Sequence, residues 1–148
     1  MVDPQARLDE MVTKLRDRGY RITPQRMAVL KVLVSDKEHP TIEQIHTRVK
    51  EDFPMTSLAT VYKTVAVLKE MGEILELGFS GDCKRYDGRY PHPHPHLVCI
   101  KCVSVIDLDL DIPVLSELPQ EVAQMTGYQI LRHQLDFFGI CPRCQENK

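Results

Sequence analysis

His92-Pro93-His94-Pro95-His96-Leu97-Val98-Cys99-Ile100-Lys101-Cys102 sets three histidines in alternation with proline and follows them with a Cys-x-x-Cys pair. A second pair of the same spacing, Cys141-Pro142-Arg143-Cys144, closes the sequence. Each pair is a tight turn that brings two sulfurs to one ion, and two such turns supply the four thiolates of a closed tetrahedral zinc site. Zinc held there would fasten the C-terminal tail to the middle of the chain. Disulfides are the competing reading, since the spacing also serves redox pairs, but a duplicated knuckle fits a metal better. Four thiolates fill one ion, which leaves the histidines for a second. His94 and His96, two apart, would share one face of an extended strand. Imidazole with added carboxylates suits iron or manganese. Pro93 and Pro95 cannot donate to a ladder, so this run is an edge or an irregular segment. A solvated His-Pro linker is the plain alternative.

Upstream of that stretch the pattern is helical. Leu8, Met11, Val12 and Leu15 recur at helical spacing over residues 5–18 and stop at Gly19. Thr23-Pro24 reads as an N-cap and first helical residue, opening 25–35. Thr41, after Pro40, caps a helix with Ile42, Ile45 and Val49 as its stripe. Ser57 caps the next, 58–71, with Leu58, Val61, Val65 and Leu68 inward and Gly72 beyond. Residues 74–77, a turn at Ser80-Gly81-Asp82, and residues 84–86 then read as a hairpin. Short helices followed by a hairpin are the order of a winged helix-turn-helix, in which the helix before the wing enters the major groove. Its outer face would present Ala59, Thr60, Tyr62, Lys63 and Thr64. An amphipathic core helix with ordinary polar residues outside is the bland alternative.

Charge supports this reading locally. The net charge of −2 decides nothing, but residues 14–31 hold six basic side chains (Lys14, Arg16, Arg18, Arg21, Arg26 and Lys31) against one acidic, Asp17. Such a patch is the footprint of phosphate contacts, although a solvated helix face looks similar. No apolar run is long enough to span a membrane and no signal peptide opens the chain, so the five cysteines point to the reducing cytoplasm. Cys83, outside the pairs, reads as a free thiol.

Downstream, residues 97–98 and 103–108 flank the first knuckle as short strands. Residues 113–126 form a helix with Val114, Leu115, Leu118, Val122 and Met125, and 128–138 alternate as a third strand. So small a unit gains by pairing with a second copy. The expected class is therefore α+β: a winged-helix DNA-binding domain over 1–89 and an αβ dimerisation and metal-binding domain over 90–148. A homodimer would place two reading helices on an inverted repeat of double-stranded DNA. A zinc hydrolase is disfavoured because no His-Glu-x-x-His helix is present, and a zinc-ribbon adaptor because the winged-helix pattern and Tyr62 have no place in one.

Taken together, Arg21-Ile22-Thr23-Pro24-Gln25-Arg26, His39-Pro40-Thr41, Ala59-Thr60-Val61-Tyr62, His94-x-His96-x-x-Cys99-x-x-Cys102 and Cys141-x-x-Cys144 resemble the ferric uptake regulator family of bacterial metal-dependent repressors over nearly the whole chain. The resemblance implies a non-enzymatic homodimer with structural Zn²⁺ on Cys99, Cys102, Cys141 and Cys144. It implies a regulatory Fe²⁺ or Mn²⁺ on His39, Asp87, His94, His96 and Asp107; the winged-helix reading itself puts the DNA contacts on Arg21, Arg26, Ser57, Ala59, Thr60, Tyr62 and Lys63. Aspartate at 87 and 107, where the iron-uptake branch commonly has glutamate, resembles the peroxide-responsive branch. In that branch iron oxidises a ligand histidine, here His39 or His94, and oxidative-stress genes are released. An iron-responsive repressor of metal-acquisition genes is the alternative. His133 would belong to a third site found in some members, but Pro93 and Pro95 stand where that site has His and Asp.

Overall fold

The computed structural model describes residues 3–80, 83–89, 94–108 and 113–146. The chain forms two compact units, with the division between residues 92 and 93. The sequence reading divided it at 89/90, and residues 90–93, including His92 and Pro93, lie outside the described residues.

The first unit runs α1 (Pro4–Asp17), α2 (Pro24–Ser35), α3 (Ile42–Asp52), α4 (Leu58–Glu70), β1 (Leu75–Ser80) and β2 (Cys83–Asp87). Local chemistry sets its helix starts. Asp3, Thr23, Thr41 and Ser57 are extended N-cap residues whose side-chain oxygens accept from first-turn N–H groups. Thr41 and Gln44 close a reciprocal capping box. Gly19 and Gly72 follow α1 and α4 in left-handed backbone, at φ of 84° and 74°.

The helical periodicity then decides what is buried. Met11, Val29, Leu30, Leu33, Ile45, Val61 and Leu68 are fully enclosed, each contributing about 1.5–3 kcal/mol of transfer free energy. Two sequence expectations on α4 change. Leu58, expected inward, is 38% exposed because it opens the helix at its free end. Thr64, expected outward, is buried, its hydroxyl donating to the Thr60 carbonyl one turn back. The polar exception in the interior is Arg7. Its guanidinium donates to the Glu73 carboxylate and carbonyl and to the Gly88 carbonyl, tying α1 to the segments after α4 and β2.

β1 and β2 pair antiparallel from Leu75↔Asp87 to Ser80↔Cys83, with an irregularity between Gly78 and Ser80. Gly81 and Asp82 of the expected turn lie outside the described residues, as does the side chain of Cys83.

The second unit holds β3 (His96–Cys99), β4 (Val105–Asp107), α5 (Pro113–Thr126), β5 (Asp136–Gly139) and α6 (Pro142–Glu146). β3 is central, antiparallel to β4 and parallel to β5. The third strand is shorter than the alternation over 128–138 implied. β3 offers four residues for pairing, so only 136–139 find partners, His96↔Asp136 through Cys99↔Gly139. Pro95 lies just before the strand, in keeping with its missing donor. The carboxy-terminal turn of helix, α6, had no sequence signal. No residue of α5 is buried, and Val114, Leu118, Val122 and Met125 stand in water. No helix among the described residues is long and apolar enough to cross a membrane.

Candidate metal centres and nucleic-acid interface

The four cysteines converge. Each Sγ of Cys99, Cys102, Cys141 and Cys144 lies within 4.8 Å of the others, and all four are free thiols. Cys102 and Cys141 Sγ are 3.8 Å apart. That is far longer than an S–S bond of about 2.05 Å, and it matches the roughly 3.8 Å edge of a tetrahedron with about 2.3 Å metal–sulfur bonds. The donor set therefore fits zinc and not a disulfide pair. The parallel β3–β5 pairing brings the second knuckle to the first, and the Ile100 N–H donates to the Gly139 carbonyl beside them.

Hydrogen bonding prepares the sulfurs unequally. The Ser104 hydroxyl and backbone push the Cys102 thiol down to about 5. The backbone N–H of Cys141 lowers Cys99, its nitrogen 3.3 Å from Sγ. Cys144 is pushed the other way, to about 12, first by Cys141 and then by burial and its other sulfur neighbours. Several sulfurs this close cannot all ionise without a cation. Arg143 answers part of that charge, its own pKa raised by Cys102.

In the same unit, His94 and His96 both turn Nε2 toward one oxygen, Asp107 Oδ1, at 2.9 and 3.2 Å. Strand register does this: His96 and Asp107 are direct partners across β3 and β4. The Leu108 N–H donates to the Pro95 carbonyl, holding the segment before β3 alongside. Two imidazoles thus share one carboxylate oxygen, and these are donor types that suit iron or manganese. Asp136 on β5, which sequence reasoning missed, places Oδ1 3.4 Å from His96 Nδ1. His133, on the irregular segment before β5, is exposed.

The first unit carries its own imidazole–carboxylate pair. His39 Nδ1 and Asp87 Oδ2 are 3.9 Å apart and both side chains are buried. β2 brackets the histidine. The Arg85 guanidinium donates to the Glu38 carbonyl and the Tyr86 N–H to the Pro40 carbonyl, one on either side. His39 itself is held at φ 57°, a strained conformation for a side-chain-bearing residue. The Arg89 N–H donates to Asp87 Oδ1 and orients the carboxylate.

Elsewhere on this unit, α4 presents Ala59, Tyr62 and Lys63 to solvent. Arg21, Arg26, Ser57, Thr60 and Lys63 line one concave surface of about 460 Å³, together with Met55 and Thr56, which the sequence reading did not single out. The first turns of α2 and α4 open there, so the positive ends of two helices add to the cations. Arg26 folds back to donate to the Arg21 carbonyl. Lys14, counted in the basic patch, is paired with Glu10 and Glu73.

Residues 17–138 match the model of the Ferric uptake regulator family. The chain is 35% identical over 140 residues to the peroxide-responsive repressor PerR of Staphylococcus aureus, covering 94% of this chain and 92% of that one. The crystal structure of the Campylobacter jejuni peroxide stress regulator is similar at a TM-score of 0.70 and 32% identity, covering 91% and 97%. The Helicobacter pylori ferric uptake regulator shares the fold at a TM-score of 0.76 and 23% identity, covering 97% and 94%. The chain belongs to the ferric uptake regulator family.

Proposed function

We propose that this protein is a dimeric, metal-dependent transcriptional repressor that senses hydrogen peroxide and controls oxidative-stress genes in the cytoplasm. The observation that carries the reading is the convergence of two imidazoles on the single aspartate Asp107, with a second aspartate, Asp87, beside His39. The Staphylococcus aureus and Campylobacter jejuni relatives, peroxide regulators by name, favour the peroxide signal over iron level. Residues 1–89 bind an inverted repeat of double-stranded DNA; residues 90–148 dimerise and hold Zn²⁺ on Cys99, Cys102, Cys141 and Cys144. A regulatory Fe²⁺ or Mn²⁺ takes His39, Asp87, His94, His96 and Asp107 as its ligands.

Bound Fe²⁺ would supply the redox chemistry that activates hydrogen peroxide; in the net change one peroxide oxygen goes to a ligand imidazole and the other leaves as water, the two electrons coming from the imidazole. The chain's residues decide the consequence. His39 or His94, once oxidised, is a poor donor, and the remaining ligands no longer hold the ion. Short carboxylates at 87 and 107 leave more room for peroxide than glutamates would.

The test uses a duplex selected by the Mn²⁺-loaded protein from random DNA. Low-dose hydrogen peroxide abolishes binding of the Fe²⁺ form and spares the Mn²⁺ form. Mass spectrometry finds one added oxygen on a peptide containing His39 or His94. Equal sensitivity of both forms, with oxidation confined to cysteines, would overturn the peroxide reading. DNA binding that follows iron occupancy and ignores peroxide would favour the iron-responsive alternative.

A further inference from the structure

We propose that Asp136 is a positioning residue that commits the His96 imidazole to one tautomer, protonated at Nδ1, so that Nε2 offers its lone pair to a cation. The inference deepens the metal reading of His96 and rests on it. His96 is 1% exposed and lies at the centre of the three-stranded sheet. It is in direct register with an aspartate on each neighbour, Asp107 on β4 and Asp136 on β5. Asp107 Oδ1 stands 3.2 Å from Nε2 and Asp136 Oδ1 3.4 Å from Nδ1. A carboxylate therefore faces each ring nitrogen.

Those two carboxylates are not equivalent. Asp107 Oδ1 also faces His94 Nε2 at 2.9 Å, so it belongs to a cluster of potential metal donors. Asp136 faces no other imidazole among the contacts of the described residues. Its Oδ2 is held by the Gln134 amide, and Oδ1 is buried and accepts no hydrogen bond within ordinary geometry from the described residues. A neutral imidazole has one N–H. Placed at Nδ1, that hydrogen lies on the side of the ring that faces the Asp136 oxygen, 3.4 Å away, and leaves Nε2 as acceptor toward the cluster. Placed at Nε2, it would block the metal-facing nitrogen and turn the Nδ1 lone pair onto a buried carboxylate, which is repulsive. A carboxylate behind a ligand histidine fixes the ring's orientation and raises its basicity. The parallel pairing of β3 with β5 is what places Asp136 there, forty residues along the chain.

The experiment uses the full-length dimer with zinc in the cysteine site, comparing wild type, Asp136→Ala, Asp136→Asn and His96→Ala. Zinc content and dimerisation are checked in each. Mn²⁺ affinity is read by the paramagnetic resonance of free Mn²⁺, and the His96 tautomer by ¹⁵N imidazole shifts above neutral pH before Mn²⁺ is added. Wild-type His96 is Nδ1-protonated. Asp136→Ala loses that preference and binds Mn²⁺ about 10- to 100-fold more weakly. Asp136→Asn, whose carbonyl oxygen can still accept, keeps the tautomer and loses less affinity, and it carries the test if the alanine variant fails to fold. An Nε2-protonated wild type overturns the proposal, as does loss of affinity with an unchanged tautomer, which would make Asp136 a direct ligand. Retained Mn²⁺ affinity in His96→Ala would instead overturn the metal reading on which it rests.

Discussion

Val103 shows how much strain a single residue can carry at a metal knuckle. It follows Cys102 directly, its N–H donates to the Cys99 carbonyl, and it sits at φ 61°. A β-branched residue in left-handed backbone costs roughly 1–2 kcal/mol, which glycine avoids at some expense in chain entropy. The side chain is 43% exposed, so little packing offsets the strain. Val103→Gly is therefore expected to stabilise the second unit by up to about 1 kcal/mol, raising its melting temperature with zinc content unchanged. A lower melting temperature would mean that the valine contributes contacts worth more than its strain. His39, at φ 57°, is a different case. Its strain is maintained by the bonds of Arg85 and Tyr86 on either side, as expected where a side chain is held for a task.

Elements were legible in the sequence wherever the signal was local. The Thr23, Thr41 and Ser57 caps and the glycine stops fixed the helices of the first unit, and the Cys-x-x-Cys turns announced the sulfur cluster. What was not legible depends on pairing between distant segments. Asp136 gained meaning only opposite His96, β5 began only where β3 offered it partners, and Arg7 found Glu73 and Gly88 across the unit. Helix α4 lies between these cases: its position was readable, but Leu58 and Thr64 exchanged sides. Its exposed face still carries Tyr62 and Lys63, with Arg21 and Arg26 on the adjoining concave surface. If α4 docks in the major groove, Tyr62→Ala weakens binding to the selected duplex while zinc content and dimerisation stay normal. Arg21→Ala instead lowers affinity on all duplexes and reduces the salt slope by about one. These outcomes separate base reading from phosphate contact in a fluorescence titration across salt concentrations. Normal operator binding by Tyr62→Ala would assign the reading surface elsewhere.

On the scale of the whole molecule the two units depend on different sources of stability. The first encloses a core drawn from all four helices and closes it with the hairpin residue Tyr86. The second buries Val98, Cys99 and Val105, while α5 contributes no buried residue and leaves its apolar side chains exposed. A unit with so little interior would gain from a bound metal and from covering that apolar face in a dimer. Stripping zinc with a chelator at neutral pH should therefore unfold the second unit and dissociate the dimer, while the first unit keeps its own thermal transition. Acidity should act in the same direction. Cys102 is depressed to about 5, so its thiolate contribution is present above the unfolded thiol pKa and is lost as pH falls through about 5. Cys144, raised to about 12 in the metal-free cluster, must release its proton when zinc binds, so proton competition strengthens as pH falls. Zinc should thus be held more weakly as pH falls, with dimer dissociation following zinc release and not preceding it. Calorimetry would resolve the two transitions, and sedimentation with a zinc-sensitive dye would order the events. A dimer that survives complete zinc removal, or a single transition in which both units melt together without zinc, would show that the second unit holds itself together by packing alone.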